Sequence, residues 1–302
     1  SGLRLPLVEA GESSAPPILL LHSWGASLYM WRDWFLPLAA AGWRPIAVDL
    51  PGHGLSDKPA ADALYRLDGQ LGVVRELLDV ERLARVDIVA QSMAGTIALE
   101  LAMRGERRIR RLALVNPACF VKVRLLRLAR AATPPLVGLV LPLVVSRRIV
   151  ARTHRFVYGN PSRLTQRDVD EYWAPSQFPG YVPAMRRLLH QFSWTRPPAE
   201  SMARRLAALE SPPLVILGGR DRLVRSAEPY VAELVRLGAP LVVRKIASGG
   251  HAVNEELPEE VVPLVLAFLA TAADEATRGT GGTGGTGGTG DDGGAKGQHR
   301  AT

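Results

Sequence analysis

The chain has 302 residues, a single cysteine and a formal net charge of +8. That length supports one large core or two small ones, and one cysteine, Cys119, excludes an intrachain disulfide framework. Hydrophobic residues are 47% and charged residues 22% of the chain, a globular balance that excludes pervasive disorder.

The positive charge is mostly arginine scattered through helix-like stretches. No zinc-finger spacing and no aromatic-rich RNA-binding motif accompanies it, so no nucleic-acid partner is expected. No charged region followed by an apolar run marks a leader, and the expected location is cytoplasmic. Cys119 lies in no cysteine-type motif and reads as a small buried hydrophobe.

Short apolar runs at 18–21, 45–50, 86–90 and 112–115 alternate with helix-spaced segments such as 67–83 and 94–104. Apolar strands separated by helices predict a mostly parallel sheet with helices on both faces. Residues 119–210 break the rhythm. Val121, Leu125 and Leu128 share one helical face, with Lys122, Arg124, Arg127 and Arg130 on others. An uncharged stretch at 131–146 follows, shorter than the ~20 apolar residues a spanning helix needs. It predicts a helical insertion over a pocket. Strands resume at 214–217 and 241–246, and 263–270 reads as a closing helix. The expected organisation is a core of 1–118 and 211–273, a cap of 119–210, and a flexible Gly/Thr-rich tail of 274–302.

The segment Ala90-Gln91-Ser92-Met93-Ala94-Gly95 lies between a strand and a helix. A serine at such a turn adopts strained backbone angles, and the residues two before and two after it must be small. Ala90 and Ala94 meet that need, although both glycines of the usual G-x-S-x-G pattern are replaced. Gly95 adds room for helix–sheet packing. A helix N-terminus aimed at Ser92 favours a negative oxygen there, so the Met93 amide is the expected first oxyanion donor. The loop after the first strand, His22-Ser23-Trp24-Gly25, supplies the second, assigned to the Trp24 amide.

A serine hydroxyl needs a base to take its proton, and a carboxylate to fix the imidazole tautomer. Gly218-Gly219-Arg220-Asp221 ends one strand, and Gly249-Gly250-His251 follows the last. Of six histidines, only His251 follows both the nucleophile and a strand-end aspartate. His22 and His53 read as loop-shaping residues, while His154 and His190 fall in the insertion and His299 in the tail. No metal-ligand spacing occurs, and neither metal nor cofactor is expected.

Together with Asp49-Leu50-Pro51-Gly52-His53-Gly54-Leu55-Ser56, these motifs in this order resemble the α/β-hydrolase superfamily over about residues 4–270. The flavour is that of its cap-bearing esterases, carbon–carbon bond hydrolases and cofactor-free haloperoxidases. The resemblance implies a mostly parallel eight-stranded sheet with a cap inserted after strand six. Members resembling haloalkane dehalogenases or epoxide hydrolases would carry Asp where Ser92 stands, which disfavours that chemistry. In some lipases the acid follows strand six, where this chain has Val115-Asn116-Pro117, leaving Asp221 as the acid.

The expected activity is hydrolysis of a carboxylic ester, or a related acyl bond, of a hydrophobic small molecule. Carbon–carbon bond hydrolysis with the same triad, and a non-catalytic ligand-binding protein on the same fold, are the alternatives. A basic insertion helix also allows peripheral contact with a membrane surface.

Overall fold

The computed structural model describes residues 2–121, 124–134, 145–224 and 227–280. Most of the uncharged stretch expected to cover the pocket (135–144), and the tail from 281 onward, lie outside the described residues.

Among the described residues the sheet holds seven strands: β1 (Leu7–Glu9), β2 (Pro17–Leu21), β3 (Arg44–Val48), β4 (Val86–Gln91), β5 (Ile109–Val115), β6 (Leu214–Gly218) and β7 (Val242–Ile246). Their spatial order is β1-β3-β2-β4-β5-β6-β7, and only β1 runs antiparallel. This corrects the expected eight strands. Residues 10–16, with Gly11, Ser13, Ser14 and Pro16, form the turn between β1 and β2, as those residue types favour. The cap therefore follows β5.

The inner strands β2 to β6 are largely buried on both faces because helices cover both, whereas the edge strands β1 and β7 keep exposed residues. In β2, Leu19 and Leu21 join one core with Ile46, Val48, Ile88 and Ala90. Ile18 and Leu20 point the other way, into a second core with Ala47, Val89 and Trp34. This two-residue alternation with no polar face is why parallel strands read as unbroken apolar runs.

The described helices are α1 (Phe35–Ala40), α2 (Leu67–Val80), α3 (Met93–Met103), α4 (Arg124–Ala132), α5 (Arg147–Val157), α6 (Gln166–Ser176), α7 (Tyr181–Gln191), α8 (Ala199–Ala207), α9 (Ala227–Arg236), α10 (Val253–Glu256) and α11 (Pro258–Thr280). The closing helix starts earlier and ends later than expected. Pro258 stands in its first turn, where a missing N–H costs nothing, and Pro263 lies inside it. Helix α11 also runs through 274–280, which the sequence assigns to the tail. Helix α8 packs Met202, Ala203 and Leu206 into the same core as β4, so the end of the insertion is continuous with the core. Among the described residues no helix is long and apolar enough to cross a membrane.

Chain order and spatial order part company at β2. The chain steps from β2 to β3 on one side, then crosses to β4 on the other. Ligands of open parallel sheets bind outside the carboxyl ends of the strands at such a switch point. Leu21 pairs with Ala90 in register. The loop after β2 and the turn after β4 therefore leave the sheet side by side, which brings residues 22–25 next to Ser92.

Candidate active site

Ser92 sits between β4 and α3 with φ 52° and ψ −110°, outside the regions favoured by L-residues. Neighbouring backbone holds it there. Its N–H donates to the Val115 carbonyl at 2.9 Å, and its own carbonyl accepts from the Ala118 N–H at 3.0 Å. A Cβ at Gly95 would stand 3.0 Å from the Pro117 side chain, the close packing that the small residue was expected to allow.

His251 Nε2 lies 2.9 Å from Ser92 Oγ, and His251 Nδ1 lies 2.7 Å from Asp221 Oδ2. The other Asp221 oxygen accepts the amides of Leu223 and Val224 at 2.7 and 2.9 Å. Burial alone would raise the Asp221 carboxyl. His251 beside it and these amides outweigh that and hold it below the ordinary carboxylate value. Asp221 therefore stays an acceptor, which leaves Nδ1 as the protonated ring nitrogen and Nε2 free to accept from Ser92.

The main chain of His251 is fixed from three sides. Its carbonyl accepts from Gln91 Nε2 at 2.8 Å and from Asn116 Nδ2 at 2.9 Å. Its N–H donates to the carbonyl of Val157, the last residue of cap helix α5, at 2.7 Å. Glu256 adds a staple, accepting Gly250 N at 2.8 Å together with the cap amides Gly159 N at 2.9 Å and Asn160 N at 2.5 Å.

Asn116 is a site residue that sequence reasoning passed over as lacking a carboxylate. Its φ of 43° suits asparagine. From there Nδ2 also reaches the Gly250 carbonyl at 3.0 Å, while Oδ1 accepts from Gly218 N at 2.9 Å. One amide thus ties the ends of β5 and β6 to the histidine loop.

The two proposed oxyanion amides flank this arrangement. Met93 opens α3, so its N–H has no carbonyl one turn earlier to bond. Trp24 follows Ser23, whose carbonyl accepts from His22 Nδ1 at 2.8 Å. In a planar trans peptide the C=O and N–H point in opposite directions, so the Trp24 N–H turns away from His22. His22 Nε2 in turn accepts from Leu50 N at 2.9 Å. Both ring nitrogens are thereby used in the neutral form. Burial holds His22 below its ordinary basicity despite Asp49 nearby. His53 packs edge-on against His22 at 4.7 Å and is likewise held below its ordinary basicity, chiefly by burial. Neither histidine touches Ser92, in keeping with loop-shaping roles. Cys119 is buried, and burial pushes its thiol up to about 12, which leaves it inert.

Ser92 and His251 open into a cavity of about 380 Å³. Met30, Ile149, Val157, Met185 and Trp194 form much of its wall, and no lysine or arginine lines it among the described residues. The Trp24 ring also lines it, held by an Nε1–H bond to the Met185 carbonyl at 3.2 Å and by edge contact with Trp194 at 5.8 Å.

A mostly parallel sheet, a serine elbow at its switch point and an inserted helical cap together define a class of hydrolases. Residues 16–256 match the alpha/beta hydrolase fold family, and the chain belongs to it. It is 26% identical to a haloalkane dehalogenase of Psychrobacter cryohalolentis over 274 residues, covering 89% of this chain and 88% of that protein. It is 36% identical to a 2-hydroxymuconate semialdehyde hydrolase of a Pseudomonas species over 120 residues, 39% of this chain and 41% of that one. The solved structure of the epoxide hydrolase CorEH superposes with a TM-score of 0.74 at 23% identity, covering 90% of this chain and 96% of the other, a likeness of fold.

Proposed function

We propose that the protein hydrolyses a carboxylic ester of a hydrophobic small molecule through an acyl-enzyme on Ser92. The observation that carries this reading is the relay from Ser92 through His251 to Asp221, at 2.9 and 2.7 Å, opening into an apolar cavity without a cation in its described lining. A neutral acyl group suits such a wall, because an anion would be desolvated there without a partner.

In this mechanism Ser92 Oγ attacks the ester carbonyl as its proton passes to His251 Nε2. Asp221 stabilises the resulting imidazolium. The carbonyl oxygen becomes an oxyanion and accepts from the Met93 and Trp24 amides, each worth roughly 10²–10³ in rate. The leaving alcohol departs with the proton from His251. Water then gives a proton to His251 as its oxygen attacks the acyl carbon, and His251 returns that proton to Ser92 Oγ as the acyl–Oγ bond breaks and the carboxylic acid leaves.

Serine rather than a carboxylate at the elbow argues against the chemistry named in the dehalogenase and epoxide hydrolase relatives. The local similarity to the semialdehyde hydrolase supports carbon–carbon bond cleavage as the second reading, since it would use the same three residues. The test is a panel of short-to-medium aryl esters alongside a β-diketone, with wild type and Ser92→Ala. Ester turnover with an initial burst, lost by a factor of about 10⁴–10⁶ in the variant, is expected. Full turnover by Ser92→Ala sinks both readings. Diketone cleavage without ester turnover selects the second, and binding without any turnover selects a ligand-binding protein.

A further inference from the structure

One wall of the cavity is polar. Helices α5 and α6 contribute His154 and Tyr172 to it, and α10 contributes Glu255. The Glu255 carboxylate is engaged on both oxygens, by Arg32 Nη1 at 2.6 Å and by the Tyr172 hydroxyl at 2.8 Å. Arg32 also pairs with Asp168 at 3.0 Å, and Asp168 accepts the Tyr29 hydroxyl at 2.9 Å. Arg32 and the Tyr29 and Tyr172 phenols thus direct their donors at carboxylates.

His154 is different. Its ring stacks on Tyr172, with centroids 4.1 Å apart and planes 24° from parallel. Its Nδ1 lies 3.0 Å from the Val150 carbonyl. A carbonyl only accepts, so Nδ1 carries the proton and Nε2 carries a lone pair. Burial keeps the ring below its ordinary basicity and hence neutral. Nε2 has no hydrogen-bond partner among the described residues, and the residue lines the cavity. The corner therefore offers lone pairs, from Nε2 and from Glu255, while the donors of Arg32, Tyr29 and Tyr172 are turned to carboxylates. Buried polar groups are normally satisfied, so a ligand group seated here must donate.

We infer that His154 Nε2 is a recognition point for a hydrogen-bond donor on the substrate, a neutral hydroxyl carried on an otherwise apolar group. The inference rests on the ester reading for the word substrate, but its geometry belongs to the cavity alone. A site built to accept from a hydroxyl discriminates against the analogue that lacks it, because its acceptor is then left bare. A carboxylate or phosphate in that position would face lone pairs and a carboxylate.

The experiment measures binding rather than turnover, in the Ser92→Ala background, through the fluorescence of Trp24 and Trp194 in the cavity wall. The probes are phenyl butanoates with a hydroxyl at the ortho, meta or para ring position, each set against its methyl isostere. A hydroxyl preference of about tenfold in Kd is expected for at least one position. Adding His154→Phe, which keeps the ring and its stacking, brings that ratio to about one, and His154→Gln, which restores an acceptor, recovers part of it. A hydroxyl preference that survives His154→Phe overturns the inference, as does the absence of any preference in the Ser92→Ala protein. An aminomethyl probe that outbinds the hydroxyl reassigns the corner to cations and overturns the neutral-hydroxyl assignment. Failure of the ester reading shows separately, as absent turnover by wild type while these probes still bind.

Discussion

Replacing Asn116 by glycine isolates what one buried amide does for the site. Asn116 is 1% exposed, and its side chain makes three hydrogen bonds of 2.9–3.0 Å. Glycine accepts the φ of 43° without strain, so the loss reads on the side chain rather than on the backbone. Each bond contributes about 1 kcal/mol, and its removal leaves a buried group without that partner. The expected destabilisation is therefore about 3 kcal/mol, read as a lower urea midpoint at unchanged m-value. The two carbonyls released belong to Gly250 and His251, so Nε2 loses its fixed distance from Ser92. A displacement of this kind can lower kcat roughly 10²-fold, with KM for an aryl ester little altered because Asn116 does not line the cavity. If Asn116→Gly unfolds at the wild-type midpoint and retains wild-type kcat, the positioning argument is wrong.

Three further outcomes follow from the same geometry. Asp221→Asn keeps an oxygen for the Leu223 and Val224 amides but turns an NH₂ toward His251. That forces the tautomer that cannot accept from Ser92, so kcat should fall about 10⁴-fold at little cost in Tm; a loss under tenfold would refute the assignment of the acid. Gly54→Ala places a Cβ 1.9 Å from an Asp49 oxygen at a φ of 43°. The Asp49 carboxylate, which accepts the Leu28 and Leu55 amides at 2.7 and 2.8 Å, would be expelled. Destabilisation of more than about 2 kcal/mol in urea unfolding is expected, and a wild-type midpoint would contradict it. His22 and His53 have folded values held below the ordinary 6.5, so below that pH the unfolded chain binds protons that the folded chain refuses. Stability should be full above about pH 6.5 and decline as pH falls, by up to about 1.4 kcal/mol per pH unit for each histidine. Urea unfolding at pH 7.5, 6.5 and 5.5 measures this, and a flat profile across that range removes the claim.

The features legible in the sequence are those with a local cause. Parallel strands appear as apolar runs because both faces are covered, and the elbow appears because Ala90, Ala94 and Gly95 relieve crowding within a few residues of Ser92. Asp221 and His251 stand out because each follows a strand end in the order the relay needs. Asn116 did not, because its three partners come from residues 218, 250 and 251 and nothing beside it in the chain names them. The same holds for Glu255, whose carboxylate meets Arg32 and Tyr172 across the fold. Pro263 illustrates a local signal misread. It suggested a helix start, while Pro258 holds that place and the apolar residues that follow carry the helix past the second proline.

The bond from the His251 N–H to the Val157 carbonyl has a practical side. Caps on this fold invite treatment as interchangeable parts, with a constant engine below and a replaceable chooser of ligands above. Here the boundary between the two runs through the base itself. A transplanted cap would have to end its helix with a carbonyl at the position of Val157, and present two amides where Glu256 takes those of Gly159 and Asn160. Without them the graft would alter how fast the host reacts as well as what it accepts. Redesign of ligand preference is better confined to the cavity-facing side chains of α5 and α6, with the 157–160 turn left as it is.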